Sequence, residues 1–233
     1  MSSERITSYD AFRGFLLVGM VIFHLLVNLS KIEFNQNHFY FVPLGFMLFL
    51  GIILGKFLDG KNKKTMALGI KLAAFFFILN LPNFIARNYT AAQFIIGDQK
   101  IFSFEILLPM SVATFSSLFL SKLVKNHKSA LIVSLTLLAI LSYLYLIDIY
   151  SYNLSFLSYG IIGYLIGKNL DLDNMAKKMS NKIFVSAVLT AIIPLFFIKR
   201  AGIIETMIIL QVLALYFLTT KIFSKNKFLI VLG

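Results

Sequence analysis

The chain has 233 residues, of which 59% are hydrophobic and 14% are charged, and its mean hydropathy is +0.86. Soluble domains use about 45–50% apolar residues, so this composition indicates an integral membrane protein. The chain has no cysteine, which excludes disulfides, thiolate metal sites and cysteine nucleophiles. A formal charge of +12 would suggest a nucleic-acid partner for a soluble protein. In a membrane protein the positions of the charges matter more, and we expect no nucleic-acid partner.

The apolar residues form long continuous runs that are separated by short polar connectors. A membrane-spanning helix needs about 20 mostly apolar residues, and the runs predict about eight spans. Continuous runs do not fit strands that alternate apolar and polar residues. We therefore predict an all-α fold, a polytopic bundle of about eight transmembrane helices in a single domain that covers residues 1–233. The predicted spans are residues 12–30, 41–58, 68–86, 104–123, 130–147, 154–168, 183–198 and 202–222.

The basic residues are distributed unevenly between the two sets of connectors. All but five of the 22 Lys and Arg residues lie in the N-terminal segment or near every second connector, and the five are Lys31, Arg87, Lys100, Lys199 and Arg200. Cytoplasmic loops carry the excess of Lys and Arg. We therefore predict a cytoplasmic N-terminus and a multi-pass protein of the plasma membrane, with the lipid bilayer as a partner.

Glycine recurs in two of the predicted spans. Small residues allow two membrane helices to approach closely, so we predict close helix contacts at these positions. The glycines are Gly45, Gly51 and Gly55 in the second span and Gly160, Gly163 and Gly167 in the sixth.

The start of the first span carries polar groups that can either begin the helix or form a site. Thr7 and Asp10 fit the capping-box pattern, in which Ser or Thr is followed three residues later by an acid, and this predicts a helix that starts before Ala11. An acid there also interacts favourably with the helix dipole. Arg13 lies three residues after Asp10, so the two side chains can pair on one face.

His24 lies deep in the same span. It follows Arg13 by eleven residues, which in an α-helix corresponds to three turns plus about 20° and a rise of about 16 Å. The two side chains therefore share a face, and Asn28 one turn further on can hydrogen-bond the imidazole. His24 is either a neutral core histidine or a functional group. Ionisable groups in a membrane are costly, and the face shared with Arg13 favours function.

The remaining polar pattern is less specific. Glu105, at the outer start of the fourth span, contacts a substrate or lies at the membrane interface. We find no phosphate-binding loop, dinucleotide fingerprint, zinc-protease helix or hydrolase elbow. The three histidines are too scattered along the chain to form a metal triad, so we expect no metal.

The segment RITSYDAFRGFLLVGMVIFHLL resembles the first helix of the transmembrane acyltransferase superfamily, in particular the bacterial relatives of heparan-alpha-glucosaminide N-acetyltransferase. Three more segments resemble helices of that branch, namely FVPLGFMLFLGIILGKFL, FSFEILLPMSVATFSSLFL and LSFLSYGIIGYLIGKNL. The chain stops at KFLIVLG, where the relatives continue into a final helix, so we expect a shortened protein or a fragment. The residues at the positions of the first motif are Arg5, Asp10, Arg13, Gly14 and His24.

The resemblance implies a membrane-bound acyltransferase that uses cytosolic acyl-CoA, with acetyl-CoA as the expected donor. The acceptor would be an extracytoplasmic glycan or another small molecule with a hydroxyl or amine group. His24 would act as the general base or carry a transient acyl group. From its position one turn after His24, rather than from the resemblance, we take Asn28 as a second catalytic residue. The substrate-binding residues would be Asp10, Arg13, Gly14, Gly51 and Glu105.

The cytoplasmic lysines have two explanations. They can hold the phosphates of CoA, or they can reflect only the positive-inside topology. The candidates for phosphate binding are Lys61, Lys63, Lys64, Lys122 and Lys125.

The rival to an enzyme is a non-catalytic membrane protein, either a transporter or an inactive acyltransferase relative that handles a glycan or lipid. Transporters use interrupted helices, and the candidate breaks here are Pro43, Pro82, Pro109 and Pro194. The sequence also allows a homodimer.

Overall fold

The computed structural model describes residues 7–29, 41–86, 106–146, 152–180, 185–186 and 201–223. Within these ranges the chain is all-helical, which confirms the predicted all-α class for this part of the protein. A π-helical segment, Leu54–Leu58, directly follows the second helix. The α-helices are α1 (Thr7–Leu29), α2 (Phe41–Ile53), α3 (Asn62–Ala86), α4 (Leu107–Leu123), α5 (His127–Leu146), α6 (Tyr152–Asn169), α7 (Leu172–Lys178) and α8 (Ala201–Phe223).

Every predicted span except residues 183–198 coincides with a helix, and that span lies almost entirely outside the described residues. In the part of the chain that the structure describes, two helices are long and apolar enough to cross a membrane, through the segments Asn62–Pro82 of α3 and His127–Leu144 of α5. Shorter apolar helical segments are Val42–Leu58, Leu107–Leu123 and Ile208–Lys221. The short helix α7 lies where the sequence predicted a polar connector.

The prolines do not interrupt the helices that the structure describes. Pro43 and Pro109 are each the third residue of a helix, where the missing N–H group would have no partner within the helix. Pro82 lies inside α3, and the helix continues beyond it to Ala86. Pro194 lies outside the described residues.

The chain divides into two compact units, and α2 contributes to both. Unit 1 comprises the described residues of Met1–Phe46 and Asp171–Gly233. Its helices α1 and α8 pack antiparallel. The Phe12 ring of α1 contacts Tyr216 of α8. Leu16, which is later in α1, and Val212, which is earlier in α8, both lie next to Gly45. These four side chains are almost fully buried and form the centre of the unit.

Unit 2 comprises Met47–Leu170 and is built around α6. This helix contacts the π-helical segment, α4 and α5, and α3 packs against α4 on the outside. A buried cluster joins the elements around α6 and consists of Leu54, Val124, Ala130, Tyr164 and Leu165.

Helices α2 and α6 run parallel, with their backbones in direct contact. A Cβ atom added to Gly51 would overlap the carbonyl oxygen of Gly160, and one added to Gly55 would overlap that of Tyr164. In the other direction, a Cβ atom on Gly163 would overlap the carbonyl oxygen of Leu48. Only glycine permits this approach, so the close contact predicted from the glycine spacing is confirmed at Gly51, Gly55 and Gly163.

Helices α3 and α4 pack antiparallel. The Ser111 hydroxyl near the start of α4 donates to the Gly69 carbonyl of α3 at 2.9 Å, while Lys168 Nζ links the Asp59 turn before α3 to Ser121 near the end of α4. The chain enters α3 through Gly60, whose φ of +75° is a conformation that favours glycine. The start of α3 and the ends of α4 and α6 therefore meet at one end of unit 2.

Candidate functional site

Helix α1 carries most of the predicted site. It begins at Thr7 with Asp10 in its first turn and remains α-helical to Leu29. An unbroken helix over this length places Arg13 and His24 on the same side, about 16 Å apart along the axis. The side chains of His24 and Asn28 lie outside the described part of the structure, so their predicted roles stay predictions.

The residues of α1 differ in their exposure. Phe12 and Leu16 are buried against the rest of unit 1, and Gly14 is also buried. Arg13, which directly follows Phe12, is exposed. Leu17 and Val21, which follow Arg13 toward His24, are 37% and 58% exposed. The side that carries Arg13 and His24 is therefore apolar between them.

The other predicted site residues are distributed between the units. Asp10, Arg13 and Gly14 lie together in the first turns of α1 in unit 1. Gly51 lies in unit 2 at the contact between α2 and α6, where its contacts explain its need to be glycine by packing. Glu105 lies outside the described residues.

The structure reveals a polar cluster in unit 1 that the sequence analysis missed. The Ser8 hydroxyl donates to Asp173 Oδ1 at 2.7 Å, and its oxygen lies 3.4 Å from the Tyr216 hydroxyl. Lys177 Nζ lies 2.5 Å from Asp173 Oδ2, and this hydrogen bond raises the pKa of Lys177 above its ordinary value. The cluster joins the start of α1, α7 and the end of α8. Nothing in the sequence pattern connects Ser8 with an acid 165 residues away.

A second polar cluster lies in unit 2, again between residues distant in sequence. The Tyr164 hydroxyl donates to Asp59 Oδ1 at 2.5 Å, and Lys168 Nζ lies 3.5 Å from Asp59 Oδ2. The same ammonium group donates to the Ser121 carbonyl at 3.2 Å and lies 5.9 Å from the centre of the Tyr164 ring. The positive and negative groups satisfy one another, so the cluster ties the Asp59 turn to α4 and α6.

The turn between the π-helical segment and α3 is basic and open. The last residues of this turn and the first three residues of α3, Gly60–Lys64, line a cavity of about 330 Å³. Lys61 donates to the Phe57 carbonyl at 2.7 Å, and the side chains of Lys63 and Lys64 are exposed. Lys122 and Lys125 lie at the same end of unit 2 and are also exposed. The five lysines that were candidates for phosphate binding therefore lie at one end of unit 2.

Within the described ranges, no group of three or more His, Asp or Glu residues could hold a metal ion. Comparison with known proteins gave no match, since no family model, no curated protein and no solved structure is significantly similar to the chain.

Proposed function

We propose that the chain is a multi-pass protein of the plasma membrane with about eight spans and a cytoplasmic N-terminus. In a multi-pass protein, each span crosses the membrane in the opposite direction to the span before it. Two even-numbered or two odd-numbered spans are therefore parallel, whereas an even-numbered and an odd-numbered span are antiparallel. The pairs within each unit meet this requirement, because α2 and α6 are parallel while α1 with α8 and α3 with α4 are antiparallel. The apolar surfaces of α3 and α5 also support the proposal, since these helices have few buried residues.

We further propose that the protein is an acyltransferase that moves an acyl group, with acetyl as the expected group, from cytosolic acyl-CoA to an extracytoplasmic sugar or other acceptor. The observation that carries this proposal is the continuity of α1, which keeps Arg13 and His24 on one side of a single helix. A guanidinium near the cytoplasmic end suits phosphate groups of the donor. A titratable imidazole about 16 Å further along suits the reaction between the two substrates.

In the proposed reaction, neutral His24 takes the proton of the acceptor hydroxyl or amine as the oxygen or nitrogen attacks the thioester carbonyl. A new carbon–oxygen or carbon–nitrogen bond forms, the carbon–sulfur bond breaks, and the CoA thiolate leaves and receives a proton. Asn28 would hold the imidazole in one tautomer through a hydrogen bond. A transient acyl-histidine remains the alternative course.

The decisive experiment replaces His24 with alanine and measures transfer from labelled acetyl-CoA in membranes. We expect a loss of at least 100-fold, the size of a general-base contribution. His127→Ala is the matched control, because His127 is exposed at the start of α5 and should leave transfer unchanged. Transfer at the wild-type rate by the His24 variant would exclude the proposed base. Analysis of cell-envelope glycans after deletion should identify the acceptor.

A second experiment tests the donor site separately. Arg13→Ala should raise KM for acetyl-CoA about tenfold with a smaller effect on kcat, because a phosphate contact made throughout the reaction contributes uniform binding. Arg13→Lys should recover part of the loss through its charge. An unchanged KM in both variants would contradict a role for Arg13 in donor binding.

A specific observation favours the second candidate, a transporter or inactive acyltransferase relative. The exposed residues between Arg13 and His24 are apolar, as on a helix side that faces lipid. For such a protein, the His24→Ala variant would keep its substrate flux, and neither the wild type nor the variant would show acyl transfer.

A further inference from the structure

One end of unit 2 carries a cluster of exposed lysines, which we call the basic end. The contacts of Lys168 with Asp59 and Ser121 bring the start of α3 and the end of α4 to this end, and α5 begins there after a short turn. Segments 54–64, 118–130 and 164–170 contain one carboxylate, that of Asp59, which is engaged by Lys168 and Tyr164. The lysines of the basic end are Lys61, Lys63, Lys64, Lys122, Lys125 and Lys128.

On two of these helices, a row of exposed apolar side chains, which we call a stripe, follows the lysine along the helix. On α5, Lys128 is followed on the same face by Leu131, Ile132 and Leu135, which lie three, four and seven residues later and are all exposed. Beyond Lys128, α5 carries no charged residue up to its end at Leu146. The stripe on α5 therefore has its charge at one end only.

On α3, Lys63 is followed by the exposed residues Met66 and Ile70, and the exposed Lys71 comes directly after Ile70. On α4 the apolar neighbours of Lys122 lie within one turn, and they are Phe119, 69% exposed, and Leu123, 75% exposed. Thus α3 and α5, which begin at the basic end, and α4, which ends there, each place an ammonium group beside exposed apolar side chains.

This arrangement matches the chemistry of an anionic phospholipid. The headgroup phosphate would contact the lysines, which extend toward the polar region as their stems cover apolar surface, and the acyl chains would cover the stripes. A soluble polyphosphate such as CoA would use the lysines but would gain nothing from the stripes. We propose that the basic end binds anionic phospholipids of the cytoplasmic leaflet. The proposal rests on the membrane topology proposed above, and it is independent of acyl transfer.

The test uses the full chain in nanodiscs of equal parts phosphatidylcholine and phosphatidylglycerol. Native mass spectrometry measures the ratio of the two lipids that stay bound after release. We expect at least threefold enrichment of phosphatidylglycerol on the wild type, and loss of this enrichment in the triple variant Lys63→Gln, Lys122→Gln, Lys128→Gln. The triple variant with Arg at the three positions should keep the enrichment. Higher salt should weaken it by screening.

The matched control is Lys177→Gln, Lys178→Gln in α7, where Asp171 and Asp173 balance the two lysines. This variant should keep the wild-type enrichment. Equal enrichment in the wild type and the Gln triple variant would overturn the proposal, as would an equal loss in the α7 control. Displacement of phosphatidylglycerol by micromolar CoA would also overturn it and assign the lysines to the donor instead.

The measurement separates this proposal from the proposed function because it uses no acyl donor or acceptor. A protein without transferase activity can still show the enrichment. A chain that does not incorporate into nanodiscs would contradict the membrane proposal itself. Size-exclusion elution and thermal melting of each variant confirm that the substitutions, all at exposed positions, leave the fold intact.

Discussion

The two units of this protein hold their helices together in opposite ways. In unit 1, α1 and α8 are joined by large buried side chains, with the Phe12 and Tyr216 rings edge to face at 5.5 Å. In unit 2, the backbones of α2 and α6 are in direct contact, because glycines without side chains face the backbone of the partner helix. A contact made by side chains loses energy when volume is removed, whereas a contact made by backbones loses energy when volume is added.

The largest expected effect comes from removing volume in unit 1. Phe12→Ala should lower the free energy of unfolding by about 3–5 kcal/mol, because Phe12 is fully buried and the truncation leaves a cavity. The measurement is chemical unfolding in detergent micelles. Phe119→Ala is the control, and its exposed ring should make the loss about 0.5 kcal/mol or less. A Phe12→Ala loss as small as that expected for the control would show that the aromatic packing of unit 1 is unimportant.

Adding volume should be most harmful in unit 2, and α2 offers a matched pair of positions. Gly51→Ala should cost about 2–3 kcal/mol, since its methyl group would lie against the backbone of α6, including the Tyr164 nitrogen at 2.6 Å. Gly45→Ala should cost less than about 1 kcal/mol. Its methyl group would meet the side-chain ends of Val212 at 3.2 Å and Leu16 at 3.3 Å, which can move.

The Gly51 and Gly45 variants would be compared by thermal melting in the same detergent. A larger loss for Gly45→Ala would reverse the assignment of the two packing modes. The pair also tests the predicted substrate role of Gly51. If Gly51→Ala retains its stability but loses acyl transfer, Gly51 acts in the site rather than in packing.

The polar clusters should contribute less than the apolar contacts. Asp59→Asn should cost about 1 kcal/mol, because it removes the charge paired with Lys168, and both side chains are partly exposed. Lys177→Gln breaks the exposed pair of unit 1 and should leave the melting temperature unchanged. The free energy of unfolding of both variants would be measured at low and high salt. A larger loss of stability for Lys177→Gln than for Asp59→Asn would contradict the expected order of the two pairs.

The smallest effect concerns pH. Asp173 raises the pKa of Lys177, so any stabilisation from this pair is fully present below the ordinary lysine pKa of about 10.4. It is lost only as the pH rises through the raised value, so the pair contributes no pH dependence between about pH 6 and 9. NMR titration should find a lower Lys177 pKa in the Asp173→Asn variant, and an unchanged value would contradict the assigned cause.

Much of the helical structure was predictable because each element leaves a local signal. Continuous apolar runs located the helices, and the glycine spacing marked positions of close helix contact on α2 and α6 without showing that these two helices contact each other. Helix α7 was missed because it is only seven residues long and lies within a charged stretch. The polar clusters were missed for a different reason. Asp59 and Lys168, or Ser8 and Asp173, are far apart in the sequence, and no periodicity relates them.

The sequence by itself determined the helical class, the segments that form the helices, and the common side of α1 shared by Arg13 and His24. These properties follow from hydrophobic runs and the fixed repeat of the α-helix, which act over a few residues. Only the tertiary structure decided that Gly51 faces backbone while Gly45 faces side chains, and that lysines from three helices meet at one end of unit 2. Such properties depend on which distant segments pack together, and that choice is made by the combined shapes of all the helices in contact.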